Sequence, residues 1–199
     1  FGHANTLSCG TQSIIDYAKC SASDNYGDLA DTMGLSYQLH FNGAFKAVAG
    51  YGGSDAVQQI TKSGDYTLNM LEKNNAKPIT LQISKPDTFE SYYLTYKTRT
   101  GRDDYEPIPS GGAAYLHILS NLLTEGDRGN GTKPTFLLDV TPNDKNINKA
   151  YFSDKVAFCD AKNKIQIKQI SHTASTVKFN VDLNSACGTY SSSSDTSCP

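Results

Sequence analysis

A histidine and a methionine near the start of the chain are the residues whose types and spacing best suit a metal-binding site. His3 carries an imidazole, a side chain that binds metals and transfers protons. Met33 follows it after a loop rich in Gly, Ser and Asp. A methionine beneath a metal site gives imidazole ligands a soft apolar floor, and Gly34 behind it permits a tight turn. The pair predicts a metal site at the front of the chain.

The residues around His3 fit the end of a zinc-peptidase motif, HExxHxxGxxH. In that motif two histidines lie one helical turn apart, the glutamate between them is the general base, and the glycine turns the chain toward the third histidine. Phe1-Gly2-His3 corresponds to the final xxH, and the sequence contains no HExxH. We therefore expect the first two ligands and the general-base Glu on an upstream portion of the same precursor. No catalytic residue is then expected in this chain, which would not be active alone.

Several short motifs resemble, in their order, the gametolysin-like metzincins, a family of secreted zinc peptidases. The motifs are His3-Ala4-Asn5, Tyr26-Gly27-Asp28, Asp31-Thr32-Met33-Gly34, Phe41-Asn42 with Lys46, and Gly50-Tyr51. Tyr51 departs from the family pattern, in which Trp is common at that place. Looser similarity over 64–68, 92–101 and 137–142 resembles the β-sandwich that follows the peptidase core.

The resemblance implies roles for three residues. His3 matches the third zinc ligand, Met33 matches the Met-turn residue, and Tyr37 falls where metzincins build the wall of the substrate pocket. It also implies zinc as the cofactor, a peptide or protein as the substrate, and peptide-bond hydrolysis by a zinc-activated water.

Composition and charge favour a β-rich protein that is secreted or lies at the cell surface. The chain has 199 residues, of which 38% are hydrophobic and only 19% charged, and 12 are tyrosines. Its net charge of -2 gives no reason to expect nucleic acid or an anionic membrane as a partner. No apolar run approaches the roughly 20 residues that cross a bilayer.

The cysteines and one sequon also suit an extracellular protein. The five cysteines, at positions 9, 20, 159, 187 and 198, include no CxxC pair, which favours disulfides over a structural zinc. Cys9–Cys20 and Cys187–Cys198 are the local pairings, and the cysteine left over is available to a partner on the upstream portion. Asn130-Gly131-Thr132 is a candidate N-glycosylation site.

Hydrophobic periodicity predicts a mainly β fold with one or two helices. Residues 1–34 show no period and predict an ordered loop, whereas apolar residues spaced three and four apart over 41–49 predict a helix that Gly50 ends. A period of two predicts short strands over 65–71, 77–84, 89–98, 113–122, 135–140, 164–170 and 177–183. We predict that 1–53 is the lower part of a metzincin catalytic domain, 54–188 an antiparallel β-sandwich or jelly roll, and 189–199 a Ser-rich tail.

Other readings of particular side chains stay open. Calcium is a second candidate cofactor, because two acidic clusters carry its preferred oxygen ligands without EF-hand spacing; they are Asp24, Asn25, Asp28 and Asp31, and Asp103, Asp104 and Glu106. His117, within an apolar run, predicts a hydrogen-bonded structural histidine, and His40 is expected near the helix N-cap. Tyr92, Tyr93 and Tyr96 predict either sheet packing or a stacking face for a sugar.

A different class of function also fits the sequence. The chain is alternatively a non-catalytic structural or adhesive module of an extracellular coat or filament, derived from a peptidase fold. The absence of HExxH and the strands rich in Tyr, Ser, Thr and Asn favour this alternative.

Overall fold

Two β-sheets make up the fold, and one short helix lies against the larger sheet. The computed structural model describes residues 2–9, 20–24, 26–34, 39–72, 76–104, 108–120 and 133–187. The strands within them are β1 Ala4–Ser8, β2 Ser21–Asp24, β3 Val57–Ile60, β4 Gly64–Asn69, β5 Thr80–Lys85, β6 Glu90–Lys97, β7 Ala113–Leu119, β8 Thr135–Leu138, β9 Ala157–Asp160, β10 Ile165–His172 and β11 Thr176–Asp182. The helix is α1, Gly43–Val48. The prediction of a mainly β fold is confirmed.

The larger sheet has the order β2-β1-β8-β7-β6-β5-β3, and the smaller has the order β4-β11-β10-β9. Most neighbours are antiparallel, but β1 pairs with β8 and β3 with β5 in parallel. The antiparallel sandwich predicted over 54–188 is therefore wrong for the β3–β5 pair. The loop predicted over 1–34 is wrong for β1 and β2. Because Ala4 pairs with Thr135, the sheet joins chain segments from both sides of the predicted boundary at residue 53.

The hydrophobic core lies between the two sheets. Alternate residues of β11, namely Val177, Phe179 and Val181, are buried in it, as the period of two predicts. Tyr92 and Tyr96 of β6 belong to the same core. Tyr92 is 0% exposed and donates its hydroxyl to Asp160 Oδ2 over 2.7 Å.

The tyrosines of β6 do not form an exposed face. Tyr93 is 6% exposed and Tyr96 1% exposed, and the Tyr96 hydroxyl donates to the Thr173 carbonyl oxygen over 2.6 Å. The suggested sugar-stacking face is therefore wrong, and the packing interpretation is confirmed.

Asn42 sets the start of helix α1. Its side-chain oxygen accepts the Phe45 N–H over 3.0 Å, and its amide donates to Thr135 Oγ1 over 2.9 Å. The Gly43 N–H donates to Thr95 Oγ1 over 2.9 Å, so the helix start rests directly on the sheet. The helix begins at Gly43 rather than at Phe41 because Asn42 is its N-cap. Gly50 follows the helix with a φ of 65°, as a glycine stop requires.

Two disulfides fasten the described chain. Cys9–Cys20 joins the end of β1 to the start of β2, as predicted, with 4.1 Å between the Cα atoms. Cys187 pairs with Cys159 of β9, at a Cα separation of 6.0 Å. The predicted Cys187–Cys198 pairing is therefore wrong, because the β9–β10–β11 ladder brings Cys159 beside the segment after β11. Cys198, Asn130 and the tail 189–199 lie outside the described residues.

Across the part of the chain that the structure describes, no helix combines the length and apolarity needed to cross a bilayer.

Candidate functional site

His3 and the turn that carries Met33 lie side by side. The Ala4 N–H donates to the Met33 carbonyl oxygen over 3.0 Å, and the Ala4 carbonyl accepts the Asp28 N–H over 3.2 Å. On the opposite side, the His3 carbonyl accepts the Thr135 N–H over 3.0 Å. Backbone hydrogen bonds therefore hold the His3 segment between β8 and the Met33 turn. His3 and Met33 are both half-buried.

The turn around Met33 is built on Asp31 and Gly34. Asp31 Oδ1 accepts the Met33 N–H over 2.6 Å, and the Asp31 carbonyl accepts the Gly34 N–H over 3.0 Å. A Cβ added to Gly34 would lie 2.8 Å from the Asp28 carbonyl carbon and would overlap the oxygen of that carbonyl. Glycine is required there because two backbone segments meet without room for a side chain.

Tyr26 packs on the His3 ring. The two ring centroids are 3.7 Å apart and the planes are tilted by 31°. Tyr26 has a φ of 68°, in the left-handed region that bulky residues rarely adopt, and its N–H donates to Asn5 Oδ1 over 2.9 Å. Sequence reasoning missed this contact, because hydrophobic periodicity carries no sign of a left-handed residue.

An aspartate–histidine pair anchors the same loop to the middle of the larger sheet. His117 Nε2 lies 2.8 Å from Asp28 Oδ2, and Asp28 Oδ1 accepts the Ala30 N–H over 2.9 Å. Both side chains are almost completely buried. The prediction that His117 is a hydrogen-bonded structural histidine is confirmed.

A buried lysine anchors the other end of the loop. Lys97 Nζ donates to the carbonyl oxygens of Ala30, over 2.5 Å, and His40, over 2.7 Å. The Asp103 carboxylate lies 3.7 Å from the same nitrogen and accepts the His40 N–H over 2.7 Å. Lys97 and Asp103 are 1% and 0% exposed. A layer of buried charges therefore separates the loop from the sheet.

Two further ionisable groups in this layer have shifted pKa values. Burial, and then the neighbouring Asp103, raise the pKa of Glu72 to about 9. Burial, and then the positive charge of Lys97, lower the pKa of Lys46 to about 8. Glu72 therefore keeps its proton at neutral pH, and Lys46 holds its proton less tightly than an exposed lysine.

The predicted metal ligands do not converge within the described residues, where no three His, Cys, Asp or Glu side chains come together as a metal site. For zinc, His3 supplies one imidazole, so these residues alone do not fit the ion, which takes at least three protein ligands. For calcium, Asp28 and Asp31 are committed to protein donors, and so is Asp103 Oδ1. Tyr37, Asn25 and Glu106 lie outside the described residues.

Asp31 makes stability depend on pH. Burial, and then the neighbouring Asp28, raise its pKa from 3.8 to about 6. A carboxyl whose pKa is higher in the folded state contributes most stability below its unfolded pKa, and this contribution is lost as pH rises through the folded value. Between about pH 4 and pH 7 we expect the wild-type chain to lose up to about 3 kcal/mol of unfolding free energy relative to Asp31→Asn.

Urea unfolding of both chains at the two pH values measures this difference. Asp65→Asn is the matched control: the hydrogen bonds from Asn180 and Lys178 lower the pKa of this exposed carboxyl, so its contribution has the opposite sign and is small. The prediction would be contradicted if the unfolding free energies of the wild-type and Asp31→Asn chains changed equally between the two pH values.

Comparisons of the chain with protein-family models, with curated proteins and with solved structures found no match.

Proposed function

We propose that the chain is the C-terminal part of a secreted zinc-dependent endopeptidase of the gametolysin-like metzincin kind. In this proposal it comprises the lower part of the catalytic domain and a jelly-roll sandwich, and its substrate is a peptide or protein. The observation that carries the proposal is the pair of backbone hydrogen bonds that join Ala4 to Met33 and Asp28. These bonds hold the His3 segment against the turn that carries Met33, although some thirty residues separate the two in sequence. Such proximity supports the assignment of His3 as the third ligand and of Met33 as the Met-turn residue.

Two other features support this proposal. Tyr26 stacks on the His3 ring and restricts the orientations of an imidazole that would serve as a ligand. The two disulfides suit the oxidising compartments through which secreted proteins pass. The remaining ligands and the general-base Glu belong, in this proposal, to the upstream portion, so the chain acts only together with that portion.

Removal of the His3 imidazole tests the proposal in the full-length precursor. We expect His3→Ala to weaken zinc binding more than about 100-fold, because a catalytic zinc has only three protein ligands. Peptide hydrolysis should fall with it. Zinc content by atomic spectroscopy and cleavage of a denatured protein substrate measure the two effects.

His172→Ala is the matched control, since His172 lies at the surface and pairs with Asp154 Oδ1 over 2.9 Å. It should leave both measurements unchanged. Full zinc content and activity in the His3→Ala precursor would refute the ligand assignment.

A second candidate function is a non-catalytic structural or adhesive module of an extracellular coat or filament. The observation that favours it is that the side chains of Asp28, Asp31 and Lys97 form hydrogen bonds with other groups of the protein. Such bonds are expected of a loop whose role is to stabilise the fold. The residues that precede Phe1 in the precursor distinguish the two functions. An intact HExxHxxG supports the peptidase, whereas a degenerate motif and a zinc-free precursor support the module.

A further inference from the structure

Phe89 is the most exposed large hydrophobic side chain among the described residues. It lies in the turn between β5 and β6, is 92% exposed, and has a φ of 58°. A bulky residue rarely adopts this left-handed conformation, because its Cβ crowds the carbonyl oxygen that follows. The core gains nothing from the ring, and glycine or asparagine would suit the backbone better. An aromatic residue kept at such a position points to a contact outside the molecule.

Hydrogen bonds fix the turn that presents Phe89. Lys85 Nζ donates to Thr88 Oγ1 over 3.1 Å and pairs with the Asp87 carboxylate. The Asp87 N–H donates to Asn163 Oδ1 over 3.1 Å, and Asn163 Nδ2 donates to Asp87 Oδ1 over 3.0 Å. These bonds join the turn to the neighbouring turn between β9 and β10. Because the backbone is already ordered, a contact made by the ring costs little further conformational entropy.

The other exposed hydrophobic side chains are concentrated around helix α1. Of the five large ones exposed in the described residues, three are Phe41, Val48 and Tyr51, at 37%, 54% and 44%. Residues 47–54 include no charged side chain. We call Phe41, Val48 and Tyr51 the α1 patch. Apolar side chains grouped in this way on a surface are typical of interaction sites.

Phe89 and the α1 patch lie at opposite ends of the larger sheet. Phe89 immediately precedes β6, whereas the Gly43 N–H at the start of α1 donates to Thr95 Oγ1, near the end of that strand. Six residues of β-strand separate Phe89 from Thr95, a distance of roughly 20 Å. Gly52, which follows α1, lies beside Ile79, and β5 begins next to Ile79 at this same end because it is antiparallel to β6. The exposed ring and the patch therefore cannot meet within one molecule, but they can meet between two.

We propose that Phe89 of one copy docks on the α1 patch of a second copy, so that identical chains associate head to tail. A contact between two different surfaces leaves one of each free at the ends, so the association repeats as a line or closes into a ring. This inference rests on neither of the proposed functions.

The charges around Phe89 favour an apolar protein surface over an anionic membrane as its partner. The two joined turns and their flanking strand ends carry three positive and three negative side chains, namely Lys85, Lys162, Lys164, Asp87, Glu90 and Asp160. This end of the molecule therefore has no excess of positive charge to attract acidic lipids. Because residues 47–54 are uncharged too, docking of the two surfaces opposes no like charges.

The size of the contact predicts weak association. A phenylalanine side chain removes about 150–250 Å² from water, and the surface that receives it contributes a similar area. The total stays below the roughly 1,200 Å² that stable protein complexes bury. We therefore expect association that depends on concentration, with a dissociation constant of about 0.1–1 mM.

Static light scattering of the full chain measures this association. Between about 0.01 and 1 mM, we expect the weight-average mass to rise from that of a monomer to beyond that of a dimer. Phe89→Ser and Val48→Asp should each weaken association at least about tenfold, since each removes an apolar anchor of the contact. Both positions are exposed, so the fold should be retained, and circular dichroism checks this. Ile170→Ser is the matched control, because Ile170 is 39% exposed on β10, and it should leave the mass unchanged.

A mixture of the two variants distinguishes a head-to-tail contact from a symmetric one. The Phe89→Ser chain keeps an intact patch and the Val48→Asp chain keeps the exposed ring, so the mixture should form dimers and no larger species. Association that either single variant leaves intact would overturn the proposal, because it would show a contact between two like surfaces. A wild-type chain that stays monomeric at about 1 mM would also overturn it. A monomeric chain that binds phosphatidylserine vesicles through Phe89 would assign the ring to a membrane instead.

Discussion

Substitution of Gly34 by alanine is expected to lower the free energy of unfolding by about 3 kcal/mol or more. The added Cβ would overlap the Asp28 carbonyl oxygen and lie 3.2 Å from the Ala4 carbonyl oxygen. Both obstacles are backbone atoms, so no side-chain rotation can make room. To admit the methyl group, the Gly34 backbone must move away from the Asp28 carbonyl as well as from Ala4, which disturbs the hydrogen bonds of Ala4 with Met33 and Asp28.

Urea unfolding followed by circular dichroism measures the effect, with Gly50→Ala as the matched control. A Cβ on Gly50 meets nothing within 4 Å, but the φ of Gly50 is 65°. That variant therefore carries only the backbone cost of a left-handed alanine, about 1 kcal/mol. Equal losses of unfolding free energy in the two variants would show that Gly34 does not lie against the Asp28 carbonyl as described.

Substitution of Lys97 by methionine is expected to cost about 3–5 kcal/mol, the range found when one member of a buried ion pair is removed. Methionine retains most of the apolar length of lysine, so the loss is electrostatic. The change leaves the buried Asp103 carboxylate without its counter-ion and the carbonyls of Ala30 and His40 without their shared donor.

Lys178→Met is the control, because Lys178 pairs with Asp65 at the surface, where both side chains are 46% exposed. An exposed ion pair contributes at most about 1 kcal/mol. The same urea titration measures both variants, and the Lys97→Met loss should shrink at acidic pH as Asp103 becomes protonated. A Lys97→Met chain as stable as Lys178→Met would mean that the buried charge layer contributes little.

Strands with a clear two-residue period could be predicted from sequence. The alternation of Val177, Phe179 and Val181 with Lys178 predicts β11 correctly, because one face of that strand lies in the core. The helix over 41–49 was also predictable, although its start depends on Asn42, whose side chain bonds both the helix and β8.

Strands whose partners are distant in sequence could not be predicted in the same way. β1 lies in a segment rich in polar residues and glycine, and its parallel partner is β8. A two-residue period of hydrophobic residues indicates that one face of a strand is buried, but it does not indicate which strand lies beside it. The same reason explains the wrong pairing of Cys187, because only the completed smaller sheet brings Cys159 close to it.

The candidate site was predictable only in part. The residue types around His3 and Met33 indicated that the two segments belong together, and the structure places them side by side. The charge layer was not foreseen, since Lys97 continues the outward face of β6 and an outward lysine normally meets solvent. Here the loop over 26–34 and residues 39–42 covers that face, and Lys97 bonds to it.

The parallel pairing of β1 with β8 has a consequence for how the chain is made. The larger sheet places a strand that begins at residue 4 between β2 and a strand that begins at residue 135. During synthesis, β1 therefore cannot pair with β8 until about two-thirds of the chain has emerged from the ribosome. Strands that are so far apart in sequence pair slowly, because the segment between them loses conformational entropy before the contacts form. The Cys9–Cys20 crosslink spans only 11 positions, so it can hold β1 and β2 together as a local unit before β8 is synthesised.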